Sequence, residues 1–281
     1  MGEHEAVVLA IVSQKGGPGK TTTTVNLASA MAINGLRVLV VDLDPQAQAG
    51  VAFGVVPLPH HSVGFALYAH LNGIQVNAGD MIQSRDELLA GFDNHGRLDL
   101  FATVQNTMVD AERKVAGGGF DDTLVLREVL GPVKAHYDVI LIDTPPSVSA
   151  LSAVALAAAD YVVAVSEPLY ATVPGVVVVK GLSDATAERT NQKATPQYLG
   201  TVINKANPPS KRTSEDSRVE ERLDELGLRR FETQIRKNGL ISAAFDEGRP
   251  VCILNPNHEP SGLYTELTME IVDRIKQTVA V

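Results

Sequence analysis

Seven short runs of apolar, largely β-branched residues punctuate the chain, at 7–13, 36–42, 98–104, 137–143, 161–166, 198–203 and 251–254. Each is continuously apolar, not alternating, and so predicts a strand buried on both faces, as in a parallel sheet. Between these runs the apolar residues recur at helical spacing, which predicts helices over 21–34, 64–72, 122–135, 148–158, 215–227 and 261–279. Strands and helices in alternation imply an α/β fold, doubly wound, with a mostly parallel sheet flanked by helices. The stretch 172–190 carries conflicting signals. Its four consecutive valines favour a strand, but its second half suits a helix. Pro174 is tolerated in a first turn, so a helix starting near it is the better expectation. No Pro/Ser-rich linker, composition break or internal repeat divides residues 1–281, which read as a single domain.

Composition narrows the class. With 281 residues, 44% of them hydrophobic, the chain is long and apolar enough to bury a large core. Cys252 is the only cysteine, which excludes a disulfide framework and any all-cysteine metal site within one chain and points to a reducing cytoplasm. The apolar runs fall far short of a membrane span. Acidic residues stand at the N-terminus where a signal peptide would carry basic ones. Lys and Arg number 24 against 33 Asp and Glu, a net charge of −9, which weighs against nucleic acid as a partner unless the basic residues are gathered on one face.

The candidate chemistry starts where the first strand ends. VVLAIVSQKGGPGKTTTTVNLASAMA runs from strand through Gly-rich loop to helix, the setting of a phosphate-binding loop. Glycines let successive N–H groups face one anion, and the helix N-terminus adds its dipole. Lys20 then supplies a cation for the β- and γ-phosphates, and the Thr21 hydroxyl a ligand for Mg²⁺. A glycine turn that merely caps the strand is the structural alternative. Two aspartates, Asp42 and Asp44, close the second strand in LRVLVVDLDPQAQAG. At the carboxyl edge of a buried strand they need a cation or polar partner, unless they simply cap a turn. YDVILIDTPPSVS places Asp143 at the end of a third strand, as a carboxylate for Mg²⁺.

These motifs carry a family resemblance. QKGGPGKTTT resembles KGGxGKT, the deviant Walker A motif of the ParA/MinD family of dimeric ATPases, and DLDPQ and DTPP are similar to its second and switch motifs. The resemblance implies a P-loop NTPase fold of the deviant Walker A type, with ATP and Mg²⁺ as cofactors. It makes Lys15, Gly16, Gly17, Pro18, Gly19, Lys20, Thr21 and Thr22 the nucleotide loop, joined by Pro145 in the switch and by Asn204, set to face the adenine. An ordinary polar loop start is the other reading of Asn204. Lys15 would reach the nucleotide of a second copy, so that Lys15, Lys20 and Asp44 form the catalytic set, with Asp44 orienting the attacking water. Thr21, Asp42 and Asp143 would serve the metal. Pro18 departs from the pattern, because proline lacks the N–H that another residue would offer a phosphate.

The ParA branch implies a homodimer with ATP between the subunits, nonspecific double-stranded DNA as a partner, and a ParB-type partner or cargo adaptor that stimulates slow hydrolysis. Its setting would be cytoplasmic and nucleoid-associated. Lys211, Arg212, Arg218, Arg236 and Lys237 are the candidate DNA contacts, although acids interleave with them throughout. A solvated helix face of mixed charge is the alternative, unless Arg218 and Arg222 take one side and Glu220 and Asp224 another. The MinD branch would instead need an amphipathic C-terminal helix for membrane. Here Leu263, Leu267, Ile271, Ile275 and Val279 line up beside balanced charges, which predicts a packed helix. Only six residues precede the first strand, so an N-terminal helix-turn-helix is not expected.

Overall fold

The computed structural model describes residues 5–146 and 148–279, the last by its backbone only. In chain order the elements are β1 (Val7–Val12), α1 (Lys20–Ile33), β2 (Arg37–Asp42), α2 (Gln48–Ala52), α3 (Val63–Leu71), β3 (Gln83–Ser84), β4 (Arg97–Phe101), α4 (Gln105–Ala116), α5 (Val125–Leu130) and β5 (Val139–Asp143). They continue as α6 (Ala150–Ala158), β6 (Tyr161–Ser166), α7 (Val173–Arg189), β7 (Gln197–Ala206), α8 (Ser214–Glu225), β8 (Ile235–Arg236), α9 (Gly239–Asp246), α10 (Val251–Leu254) and α11 (Glu259–Val279). One sheet runs in the order β3-β4-β2-β5-β1-β6-β7-β8. Every pairing is parallel except that of the two-residue β3 with β4.

Alternation along each strand divides the core in two. Val8, Ala10 and Val12 of β1 join α3 to α8 on one face, and Leu9 and Ile11 join α1, α2 and α9 to α11 on the other. This is the doubly wound arrangement that the sequence predicts. Six of the seven expected strands are present, and α7 starts one residue before Pro174. In α11, Leu267 and Ile271 are fully buried, with Leu263 and Ile275 packed beside them. The Val279 side chain lies outside the described residues.

Three expectations need correction. Val251–Leu254 is a single helical turn, capped by Pro250 and buried against α1; the outer position of the sheet falls to Ile235–Arg236. A four-residue apolar run fits either state, and here the preceding proline and burial on the helical layer decide. The helix expected over 122–135 is broken: Gly131 and Pro132 end α5 at Leu130, and a tighter 3₁₀ turn follows. Helices α4 and α9 were not expected at all.

Close packing of α3 on α4 depends on Gly64, where an added Cβ would lie 2.5 Å from the Met108 amide nitrogen and 2.7 Å from its Cα. Gly64→Ala should therefore force the two helices apart. Urea denaturation is expected to show a loss of about 1–3 kcal/mol; an unchanged midpoint would mean the helix pair yields freely.

Candidate functional site

Parallel pairing brings the ends of β1, β2, β5, β6 and β7 to one edge, and with them Ser13, Asp42, Asp143, Ser166 and Asn204. The first strand sits between β5 and β6, while the chain leaves it for β2 on one side. The crevice outside such a reversal is where open α/β sheets bind ligands. The loop 13–19 lies in it. Gly17 and Gly19 hold φ of 93° and 92°, values that side chains resist, and Gly19 caps the start of α1.

In front of the loop opens a cleft of about 480 Å³, lined by Gly16, Gly17, Gly19, Lys20, Thr21, Thr22, Asp44 and Pro146. Residues Ile241, Ser242, Phe245 and Asp246 of α9 form its far wall. The sequence reading missed this wall, because the segment carrying α9 was read for its basic residues. Asn238, whose side chain accepts the Leu240 N–H, was the available sign of a helix start.

Buried charges meet behind the cleft. Asp42 and Asp143 end neighbouring strands in direct register, and both are fully buried. Asp42 Oδ1 accepts the Asp44 N–H at 3.1 Å, and Asp44 Oδ1 accepts the Gln46 N–H at 2.9 Å. Burial drives the Asp42 carboxyl well above the usual carboxylate range, and the neighbouring Asp143 charge adds to the rise. Burial likewise pushes Asp143 up to about 7, against the pull of the Thr21 hydroxyl and the Lys20 ammonium. Lys20, 6% exposed, is lowered by burial and drawn back up by Asp143 and Asp44.

Asp42 Oδ2 and Asp143 Oδ2 are both buried with no hydrogen-bond partner among the described residues. Two orphaned carboxylate oxygens beside Thr21 suit a divalent cation, and Mg²⁺ takes few protein ligands of this kind, completing its shell with water and phosphate. The donor set therefore fits the group expected from the sequence.

The other site residues divide. Lys15 is exposed and its Nζ donates to Ala171 O at 3.1 Å, outside the cleft that holds Lys20. Pro145 is buried and Pro146 meets the loop. Asn204 is buried beneath the loop, where Nδ2 donates to Pro18 O at 2.6 Å and Oδ1 accepts the Lys205 N–H at 2.9 Å.

Among the expected DNA contacts, Arg212 is paired with Glu220 at 2.6 Å and Arg236 with Glu259. Arg218 lies over the Tyr170 ring at 5.2 Å. Lys211 and Lys237 have no ion pair among the described residues. On α8, Glu220 and Asp224 face Arg230, at 4.0 and 3.5 Å, but Arg222 pairs with Glu225 at 2.8 Å and Glu215 meets the same Tyr170 turn as Arg218, so acids and bases do not fully separate.

An AAA-domain family profile matches residues 6–194. The chromosome partitioning protein ParA of Caulobacter vibrioides is 28% identical over 281 residues, covering 95% of this chain and 94% of that one. The chain belongs to the ParA/MinD family of P-loop ATPases. The cell division ATPase MinD of Pyrococcus furiosus superposes with a TM-score of 0.72 at 25% identity, covering 95% of this chain and 99% of that one. An ATP complex of a Cyanothece McdA variant gives a TM-score of 0.77 at 20% identity, covering 100% and 98%. At that identity the last likeness speaks for the fold alone.

The raised carboxyls set the stability of the ligand-free ATPase. Between about pH 4 and 7 the folded chain keeps a proton on Asp143 that the unfolded chain releases, so stability falls as pH rises through that window. Lys20 opposes the rise at Asp143 and Asp44 adds to it, while the raised Asp42 carboxyl follows the same trend. In EDTA without nucleotide, Asp143→Asn should exceed the parent in stability by roughly 2–4 kcal/mol at pH 8, with little difference at pH 4. Urea denaturation at both values tests this, and a variant weaker than the parent at pH 8 would contradict it.

Proposed function

We propose that the chain is an ATP-hydrolysing, dimerising switch that binds nonspecific double-stranded DNA in its ATP state. Its task would be to segregate or position DNA, or another cargo, over the nucleoid in the cytoplasm. The carrying observation is the division of labour between two lysines of one loop. Lys20 is buried in the cleft beside Asp143 and Asp44, whereas Lys15 is exposed and turned outward onto Ala171. A second loop lysine with no place in its own cleft is free to serve the nucleotide of another copy.

In this reading the amides of Gly16, Gly17, Gly19 and Lys20 receive the phosphates, and Lys20 neutralises their charge as it builds. Thr21, Asp42 and Asp143 would hold Mg²⁺, which when bound offsets negative charge on the phosphate oxygens. Asp44, on the cleft wall with one oxygen fixed by Gln46, orients the attacking water. Two copies each offer Lys15 to the other, so hydrolysis requires the dimer. A ParB-type partner or cargo adaptor would accelerate it.

Dimerisation also explains how a chain of net charge −9 binds DNA. In this reading Lys211, Arg218 and Lys237 of one copy would serve as the DNA-contacting patch, while Arg212 and Arg236 are paired with Glu220 and Glu259 and would have to be released. Doubling the patch multiplies affinity, because each contact releases counterions. The MinD-like alternative, membrane attachment through α11, is disfavoured because Leu267 and Ile271 are already committed to the core. No described helix is long and apolar enough to cross a membrane.

DNA binding measured with ATP, ADP and no nucleotide across a salt series tests the output. Binding should require ATP and weaken steeply with salt, by about 0.9 log units per decade for each phosphate neutralised. ATP-dependent binding to anionic vesicles in its place would transfer the chain to the membrane branch. Asp44→Ala is expected to bind ATP, dimerise and remain on DNA with turnover lowered about 100-fold or more. Undiminished hydrolysis would strip Asp44 of its role.

A further inference from the structure

A second cavity lies off the nucleotide cleft and shares no lining residue with it. It is a groove of about 250 Å³ between α6, α7 and the turn Phe120–Leu124, with Ala153, Leu156 and Leu182 on its walls. At its mouth Phe120 is 73% exposed and Val148 56% exposed. One exposed apolar side chain is ordinary, but two bordering the same groove leave apolar surface for an occupant to cover.

Most polar groups around the groove are already engaged. The hydroxyls of Thr123, Thr186 and Thr190 donate to the carbonyls of Phe120, Leu182 and Thr186 at 2.6, 2.8 and 2.8 Å. Ser149 Oγ accepts the Ser152 N–H at 3.4 Å as the N-cap of α6. Asp121, next to Phe120, is paired with Lys193 at 2.6 Å. Arg189 differs. It is the only charged residue lining the groove, and it is exposed, with no ion pair or hydrogen bond to its guanidinium among the described residues. Its place in the last turn of α7 suits the helix dipole, which accounts for a cation there but not for the apolar groove beside it.

Size and chemistry together select the occupant. The groove holds the volume of about eight waters at about 30 Å³ each, which admits one organic molecule of about ten heavy atoms. Its body would lie against Leu156, Leu182 and Phe120. The guanidinium at one end matches a planar anion that takes two parallel N–H bonds, as a carboxylate does. A neutral or cationic head would leave Arg189 covered without a partner.

We propose that this groove is a binding site for a small monocarboxylic acid with an aliphatic or aryl-alkyl body, its carboxylate held by Arg189. Ser149 caps α6 shortly after the Pro145–Pro146 turn, so the occupant rests on the helix that leads away from the Asp143 strand and leaves the nucleotide cleft open. The site stands apart from the reading of that cleft.

Octanoate is of the required size and serves as the probe, titrated into the full chain below its micelle concentration and followed by calorimetry and saturation-transfer NMR. Hexanoate should bind about tenfold more weakly, through the loss of two buried CH₂ groups. Arg189→Gln should weaken octanoate about tenfold, as one charge-assisted contact is lost, and change octanol little. Octylammonium should not bind. Ala153→Phe fills the groove and should abolish binding; if that variant does not fold, Arg189→Gln, at an exposed position, decides. ADP with Mg²⁺ should leave octanoate bound. The proposal is overturned if octanoate does not bind, if octanol or octylammonium matches it, or if Arg189→Gln leaves its affinity unchanged. Binding that survives Ala153→Phe, or that ADP displaces, would place the acid elsewhere and overturn it equally.

Discussion

Two carboxylates that end adjacent parallel strands in register impose the condition around which this site is built. Asp42 and Asp143 are sealed from water side by side, and each keeps one oxygen without a partner among the described residues. Like charges so placed raise each other's proton affinity, and burial raises both further. The loop lysine offsets part of that cost, but Lys20 is itself partly desolvated and its charge is shared with Asp44. An ion arriving with phosphate oxygens would complete the balance. The same arrangement that weakens the empty protein thus gives it a reason to close on its ligand.

The parallel sheet is what makes that concentration of charge possible. Continuous hydrogen-bonded strands carry the chain to one edge, and at that edge the backbone of the 13–19 loop turns through left-handed glycines. Ser13, Lys20, Asp42, Asp44, Asp143 and Thr144 are all buried there. Elsewhere the interior is mostly apolar, divided by the strands into two layers that follow their alternation. The loop edge is therefore a local exception supported by an ordinary core.

Much of this was legible in the sequence because the deciding interactions are local. A buried strand followed by GGPGKT and a helix predicts its own geometry, and the structure has it. The six central strands were readable from short apolar runs, five of them rich in β-branched residues and the sixth, at β4, built of Leu and Phe around Asp99. What escaped depends on tertiary context. The apolar run at 251–254 has no intrinsic preference strong enough to choose between strand and turn, and packing against α1 chose. The α9 wall of the cleft was hidden because Ile241 and Phe245 acquire meaning only when the topology carries them across to the loop. Asn204 was found by its position after a strand, yet no local signal shows that its amide is turned under the loop. The net charge was the least informative quantity. Which arginines are free is decided by pairs such as Arg212 with Glu220, and these form only once α8 is folded.

The phosphate loop and the basic helix meet at one short turn. Lys15 donates to the Ala171 carbonyl, the adjoining Tyr170 N–H donates to Glu215 at 3.2 Å, and Arg218 covers the Tyr170 ring. Glu215 and Arg218 both belong to α8, so a lysine of the loop and a cation of the helix hold the same two residues of chain. Contiguity of this kind is a physical route, not in itself a coupling energy. It does fix the order in which contacts must change. Lys15 cannot reach a nucleotide elsewhere without releasing Ala171, and the bonds left on that turn then lead to the helix that carries Arg218.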